Sequence, residues 1–395
     1  MSRSQNERHI LILPSWYKSD DLPFFASFID EQVQAVKRQG LRVGVMYPRW
    51  NGSFSITGMF TKGKTEWRRN GDIPTLQVEV RSVVPRNLRL NVAGMWPQLR
   101  KAFDQYTGEH GVPDILHAHC VFIGGISAYH LHQKTGIPYV ITEHASSMIL
   151  DHDTFSPAQK EVILNVYRHA RYVIAVSHFL KDKLVEKYQL DPASIRVVPN
   201  LLNNMFDKPF VPPPPAPPFL LLYMAEFSEN KNHLFLLSRF KELSNSFDVK
   251  LCLIGKGVTE HKIRHLIVEL GLESRVEIFG EMGRNDALSH LEKAHVLVST
   301  SKFETFGLSI LEGMAVGRPV IATDSGGPRD FMQEFNDTLT DESTFLSAVT
   351  RCLHEYSTFD GQLSRTKILE RFSENAIGKQ LVDVYEDVLV TQAGS

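Results

Sequence analysis

Short apolar runs alternate with helical patterns along most of this chain, and that alternation leaves few folds open. Five runs precede a proline-rich stretch: "HILILP", "LRVGVMYP", "ILHAHC", "YVIT" and "YVIAVS". Five follow it: "FLLLYM", "VKLCLIG", "VEIFG", "HVLVST" and "PVIAT". Helical patterns such as "FASFIDEQVQAVKRQG" and "HKIRHLIVELG" lie between them and close on Gly40 and Gly271. Runs of this length, bounded by turns and separated by helices, belong in parallel sheets covered on both faces. The expectation is an α/β protein of two doubly wound domains, with ligands at the carboxyl ends of the strands and the cleft between the domains as the default site. Prolines crowd residues 207–218 and can continue neither a helix nor a central strand. They favour an extended, semi-rigid spacer. This reading gives a first domain at 1–206, a linker at 207–218 and a second domain at 219–395. The last helical pattern, about 373–390, either finishes the second domain or crosses back onto the first.

A length of 395 residues suits two cores better than one. The formal net charge of -2 speaks against a dedicated nucleic-acid binder. Cys120, Cys252 and Cys352 are far apart and follow or lie in apolar stretches, so they read as reduced thiols rather than a disulfide or metal framework. The start, "MSRSQNERHILILPSWY", has too short an apolar run for a signal peptide, and no uninterrupted apolar run reaches the roughly 18 residues of a spanning helix. The expected location is the cytoplasm, with contact at the inner face of a membrane left open.

The chemistry concentrates in "SKFETFGLSILEGMAVGRPV", residues 301–320. The strand before it ends near Thr300, Gly307 permits an unusual turn, and "LSILEGMAV" reads as a helix ending at Gly317. The first amides of such a helix are unpaired donors with partial positive charge, suited to phosphate. Glu304 lies just before that helix start and Glu312 inside the helix. A carboxylate takes a pair of sugar hydroxyls, so two of them flanking a phosphate site suit a nucleotide sugar. "PVIATDSGGPRDF" then ends a strand on Gly326 and Gly327, which allow close approach of backbone to ligand.

From Ser299 to Asp330 the chain resembles the signature of the GT-B-fold glycosyltransferases of family 4. It supplies Glu304, Phe306, Gly307, a second glutamate eight positions after the first at Glu312, then Met314, Ala315, Gly317, Pro319, Val320, Gly326 and Gly327. "DILHAHC", "YVITEHASS" and "IRVVPN" resemble strands of the family's first domain, so the resemblance covers most of the chain. It implies two Rossmann-like doubly wound domains facing across a cleft. It also implies a retaining transfer of sugar from a UDP- or GDP-sugar to a glycan or lipid-linked acceptor, in cell-surface polysaccharide or glycoconjugate assembly. Roles carried over are contact with the transferred sugar for Glu304 and His119, the ribose for Glu312, and the donor phosphates for Lys231 and the turn amides of Phe306, Gly307, Leu308 and Ser309. His144 is placed at the cleft edge, and His117 on the strand face opposite His119. No cofactor or metal is expected, and "DHD" at 151–153 reads as an exposed loop.

Two loops depart from the family pattern. The glycine and arginine usual at the first strand end of the second domain are Ala225 and Glu226, and the usual Gly-Asp-Gly is Gly255-Lys256-Gly257. The expectation is that Glu226 pairs with Lys256, which replaces the missing charge. Ala26 stands where many relatives have glycine. Residues 60–103 mix Arg81, Arg86, Arg89, Arg100 and Lys101 with Val83, Val84, Leu88, Trp96 and Leu99, a composition suited either to an anionic membrane surface or to a solvated helix face. A GT-B epimerase or phosphorylase and a non-catalytic sugar-nucleotide binder are the alternatives.

Overall fold

The computed structural model describes residues 8–18, 26–51, 64–81, 88–333 and 338–393. They form two compact units, one of Met1–Leu201 with Glu374–Ser395 and one of Leu202–Ser373.

The first unit is built on eight strands: β1 His9–Pro14, β2 Arg42–Asn51, β3 Thr65–Arg68, β4 Thr75–Arg81, β5 Ile115–His119, β6 Tyr139–Glu143, β7 Tyr172–Ala175 and β8 Ile195–Val197. Their order is β3-β4-β2-β1-β5-β6-β7-β8, parallel except for β3 against β4. Every residue of β1, β5 and β6 is buried, as strands covered on both faces require. The edge pair β3 and β4 lies within the segment set apart for membrane contact. Leu76, Val78 and Val80 alternate into the core, so this part of the segment is sheet. Arg86, Val83 and Val84 lie outside the described residues. Leu99 is buried on the helix Leu88–His110, Trp96 packs on His130 with ring centroids 5.1 Å apart, and Arg100 and Lys101 are exposed.

Helix Ser27–Arg38 buries Ile29, Val33 and Val36, one face at helical spacing. Its N-cap is Ala26 with φ 52°, and no side chain caps the helix. The left-handed conformation there is one glycine adopts without strain, which gives a physical sense to the glycine of the relatives. The helix Glu374–Ala393 belongs to this unit and packs on Ser27–Arg38. Arg38 pairs with Glu374, Arg8 pairs with Glu386, and Gln39 Nε2 donates to Asn375 Oδ1 at 3.1 Å.

The second unit has a six-stranded parallel sheet: β9 Phe219–Met224, β10 Val249–Ile254, β11 Val276–Phe279, β12 Val296–Ser299, β13 Val320–Thr323 and β14 Thr338–Thr340, in the order β11-β10-β9-β12-β13-β14. Leu221, Tyr223, Leu251, Leu253, Val296 and Val298 form its core with Leu236, Leu237 and Phe240 of helix His233–Leu243.

The proline-rich residues 207–218, expected as a semi-rigid linker between the domains, belong to the second unit, and the chain passes between units at Leu201/Leu202 and Ser373/Glu374. Prolines donate no backbone hydrogen bond but keep their carbonyls, and side chains of this unit take the carbonyls of the stretch. Buried Arg318 donates to Val211 O at 2.8 Å, and also to Glu292 O and Val316 O. His295 Nε2 lies 2.9 Å from Pro214 O.

Candidate active site

In the second unit β9 has neighbours β10 and β12, which are reached by connections on opposite sides. This is the topological switch point, where a doubly wound sheet opens a crevice at its carboxyl edge. The loops leaving β9 and β12 meet there. Lys231 Nζ donates to Glu304 Oε1 at 2.5 Å, and Ser301 Oγ donates to the same oxygen at 2.8 Å. Both ionic side chains are at most one-fifth exposed. Asn230 Nδ2 donates to Phe303 O, Lys302 N to Asn230 O, and Tyr223 OH and Thr300 Oγ1 to Lys231 O. The sequence singled out neither Ser301 nor Tyr223. Burial lowers the pKa of Lys231, but Glu304, Tyr223 and Glu226 raise it further, so the net shift is upward and the ammonium stays charged.

After Glu304 the chain turns through Gly307 at φ 95° into helix Leu308–Ala315. A Cβ on Gly307 would also lie 2.8 Å from Pro328 Cγ, so the turn requires glycine on both counts. Leu308 and Ser309 open the helix and are half-buried, and their amides fall in the first turn, which has no partners within the helix. Phe306, assigned to the donor, has its side chain in the core against Phe331 and Phe372; only its backbone is left for a ligand. Gly326 pairs with Glu304 as an isolated bridge, and Gly327 N donates to Glu304 O at 3.0 Å, so the two glycines hold the acidic turn from behind. Ser325 Oγ is buried beside them without a hydrogen-bond partner among the described residues.

Glu312 lies inside that helix, 2.5 Å by its Oε1 from Arg284 Nη1. Burial raises its pKa and Arg284 opposes the rise. No motif pointed to Arg284, because the pair is separated by 28 positions.

The departing loops correct one expectation. Lys256 pairs with Glu281, not with Glu226. Glu226 is exposed and its charge acts on Lys231 instead. The two loops are nevertheless coupled through their backbones. Phe227 N donates to Lys256 O at 2.9 Å, and a Cβ on Gly255 would fall 2.0 Å from Ala225 O.

In the first unit the switch point lies between β1 and β5. His119 ends β5, and its carbonyl accepts from Ser15 N at 3.0 Å and Ser15 Oγ at 2.8 Å. His117 and His119 stack at 4.5 Å between centroids, so His117 is not on the opposite face: residues two apart on a strand share a face. His117 is held by Tyr385 OH at 2.6 Å and Thr142 Oγ1 at 2.7 Å. His119 Nδ1 lies 3.0 Å from His144 Nε2, and their rings are stacked nearly parallel, with an interplanar angle of 7°. Burial pulls His117 and His144 down to about 3 and His119 in the same direction, so all three rings are neutral near pH 7. His119 Nε2 is buried without a partner among the described residues. Buried Glu143 accepts from the amides of Val121, His144 and Ala145 and from Tyr167 OH, tying the turn after β5 to the turn bearing His144.

Among the described residues no three His, Cys, Asp or Glu side chains gather as a metal set. In the "DHD" stretch His152 pairs with exposed Asp153 at 2.9 Å. No disulfide joins the three cysteines. No helix among the described residues is long and apolar enough to cross a membrane.

Two family models match consecutive stretches, "Glycosyltransferase Family 4" over residues 26–203 and "Glycosyl transferases group 1" over residues 205–358. The chain belongs to glycosyltransferase family 4 and has the GT-B fold. Among curated relatives of this family 4 member, an uncharacterised glycosyltransferase of Methanocaldococcus jannaschii is 28% identical over 54% of the chain and 57% of the relative. A lipopolysaccharide core biosynthesis glycosyltransferase of Rhizobium meliloti is 29% identical over 44% of the chain and 50% of its own length. The chain thus spans about half the length of these relatives. Among solved structures, the Anabaena protein HepE in complex with UDP superposes with a TM-score of 0.72 at 18% identity, covering 96% of this family 4 chain and 100% of that one.

Proposed function

We propose that the protein transfers a sugar, with retention at the anomeric carbon, from a UDP- or GDP-sugar to a glycan or lipid-linked acceptor in the assembly of a polysaccharide or glycoconjugate. The observation that carries the reading is the Lys231–Glu304 pair at the switch point, set against a glycine-opened helix start with Glu312 inside the helix. The arrangement offers a cation and free amides to a diphosphate and a carboxylate on either side to hydroxyls. Its similarity in fold to a protein crystallised with UDP supports the donor class.

In the proposed reaction the acceptor hydroxyl oxygen bonds to the anomeric carbon on the face that the diphosphate leaves. The bond from that carbon to the phosphate oxygen breaks with its electron pair going to the phosphate, which also receives the acceptor proton. Lys231 and the amides of Leu308 and Ser309 stabilise the leaving charge, with no metal assigned to the task. Glu304 orients the sugar, and neutral His119 offers Nε2 to a substrate hydroxyl. Contact of the protein with an anionic membrane surface, through the exposed Arg100 and Lys101 of helix Leu88–His110, belongs to the same proposal as the means of reaching a lipid-linked acceptor.

A second reading, a non-catalytic sugar-nucleotide binder, is favoured by Glu226, whose charge acts on the cation meant for phosphate. One experiment separates the two. Purified protein is incubated with UDP-, GDP- and ADP-sugars and a glycan acceptor, while nucleotide release and product configuration are followed by NMR. Transfer with retained configuration supports the proposed enzyme, and transfer with inversion leaves a transferase but refutes retention. Binding without transfer or hydrolysis supports the second reading.

A further inference from the structure

Arg284 opens helix Arg284–Lys293 just beyond β11, and its guanidinium meets Glu312 at 2.5 Å. Their side chains are 25% and 13% exposed. Glu312 rises from a helix whose Leu311, Gly313, Met314 and Ala315 are all buried. An unaccompanied carboxylate in such surroundings is costly and tends to take up a proton.

The charged groups around it single out one partner. Strands β12 and β13, packed on this helix, carry no ionisable side chain. Helix Gly361–Phe372, also packed on it, bears Arg365, Lys367, Glu370 and Arg371. Arg365 is engaged with the carbonyls of Phe206 and Lys208, and Arg371 donates to Asp330 O. The helix that carries Arg284 also bears Asp286, His290, Glu292 and Lys293. Among the described residues Arg284 alone acts on the Glu312 carboxyl as a charge and as a donor.

We propose that Arg284 is a positioning residue for donor binding: it holds Glu312 as an oriented carboxylate for the ribose hydroxyls, and thereby sets a preference for ribonucleotide over 2′-deoxyribonucleotide donors. This rests on the donor reading above. The pair also explains how a buried glutamate serves as an acceptor of two hydroxyl hydrogen bonds, which a protonated carboxyl cannot do equally well.

The test is calorimetric binding of UDP, GDP, ADP and their 2′-deoxy forms to the full chain at about pH 6 and about pH 8.5, since burial raises the pKa of Glu312 and the higher pH favours its ionised form. Wild type should bind one ribonucleotide more tightly than its deoxy form, with little change between the two pH values. Arg284→Met should weaken the ribonucleotide about tenfold at the lower pH, the scale of one hydrogen bond to a charged group. It should recover most of that loss at the higher pH and narrow the gap to the deoxy form. Arg284→Lys should restore the wild-type pattern, and adding Glu312→Gln to Arg284→Met should abolish the pH dependence. Should the Met variant fail to fold, Arg284→Gln, a donor without charge, gives the same comparison. A loss equal at both pH values and equal for ribo and deoxy forms overturns the inference, as does no loss at all, and either leaves the donor reading standing. If wild type binds none of the nucleotides, the donor reading falls first and this inference with it.

Discussion

Glu304→Gln is the most informative single change, because the structure predicts that it separates stability, donor affinity and turnover. The carboxylate accepts from Lys231 Nζ at 2.5 Å and from Ser301 Oγ at 2.8 Å, in a site where the ionic side chains are no more than one-fifth exposed. A hydrogen bond to a charged group contributes about 1.5–3 kcal/mol, and removing one member of a shielded pair leaves the other without compensation. Glutamine keeps the shape and an acceptor oxygen, so the lower end applies, about 1.5 kcal/mol. For a unit of this size such a loss shifts the midpoint by roughly 3–6 °C. The charge of Lys231 meanwhile loses its tightest partner and becomes available to phosphate. A nucleoside diphosphate without sugar should therefore bind as well as to wild type or better, while transfer falls steeply. Differential scanning calorimetry, calorimetric titration with the nucleotide and a transfer assay read the three effects. Unchanged melting together with weakened nucleotide binding would refute the reasoning, since it would mean that Glu304 neither holds Lys231 nor competes with phosphate for it.

Arg318→Met should destabilise the second unit by about 2–4 kcal/mol in urea unfolding, because the carbonyls of Val211, Glu292 and Val316 lose a shared, buried donor. Ala26→Gly should stabilise the protein by up to about 1 kcal/mol by relieving a left-handed alanine; a loss of stability would show that the φ of 52° is not strained. His117 and His144 titrate at about 3 when folded against about 6.5 when unfolded. The unfolded chain therefore binds more protons below that value, and stability present above about pH 6.5 is lost progressively as pH falls towards 3. Urea midpoints measured across that range should drop, and His144→Gln should make the drop smaller.

The strand-and-helix alternation made the parallel sheets legible, since fully buried strands such as Ile115–His119 need continuous apolar runs. The edge pair Thr65–Arg68 and Thr75–Arg81 was hidden because its residues alternate with charges, and those charges resembled a surface helix. The acidic turn around Glu304 stood out because glycine, phenylalanine and two glutamates at fixed spacing have few other uses. Arg284 did not, because only the closed fold brings it to Glu312. The pairing assigned to Glu226 and Lys256 followed from charge alone. Backbone contact between their loops is present, but Lys256 points its charge at Glu281. The proline run reads as a spacer because nothing in the sequence shows that Arg318 and His295 grip its carbonyls.

The helix Glu374–Ala393 gives the first unit a part that the ribosome makes only after all of Leu202–Ser373. Until that helix emerges, the face of Ser27–Arg38 it covers lies bare, and His117 lacks the hydroxyl of Tyr385. Residues up to Leu201 are thus an unfinished domain during synthesis. Expressed alone, they should be prone to aggregation, and supplying Glu374–Ala393 as a separate peptide should rescue their solubility.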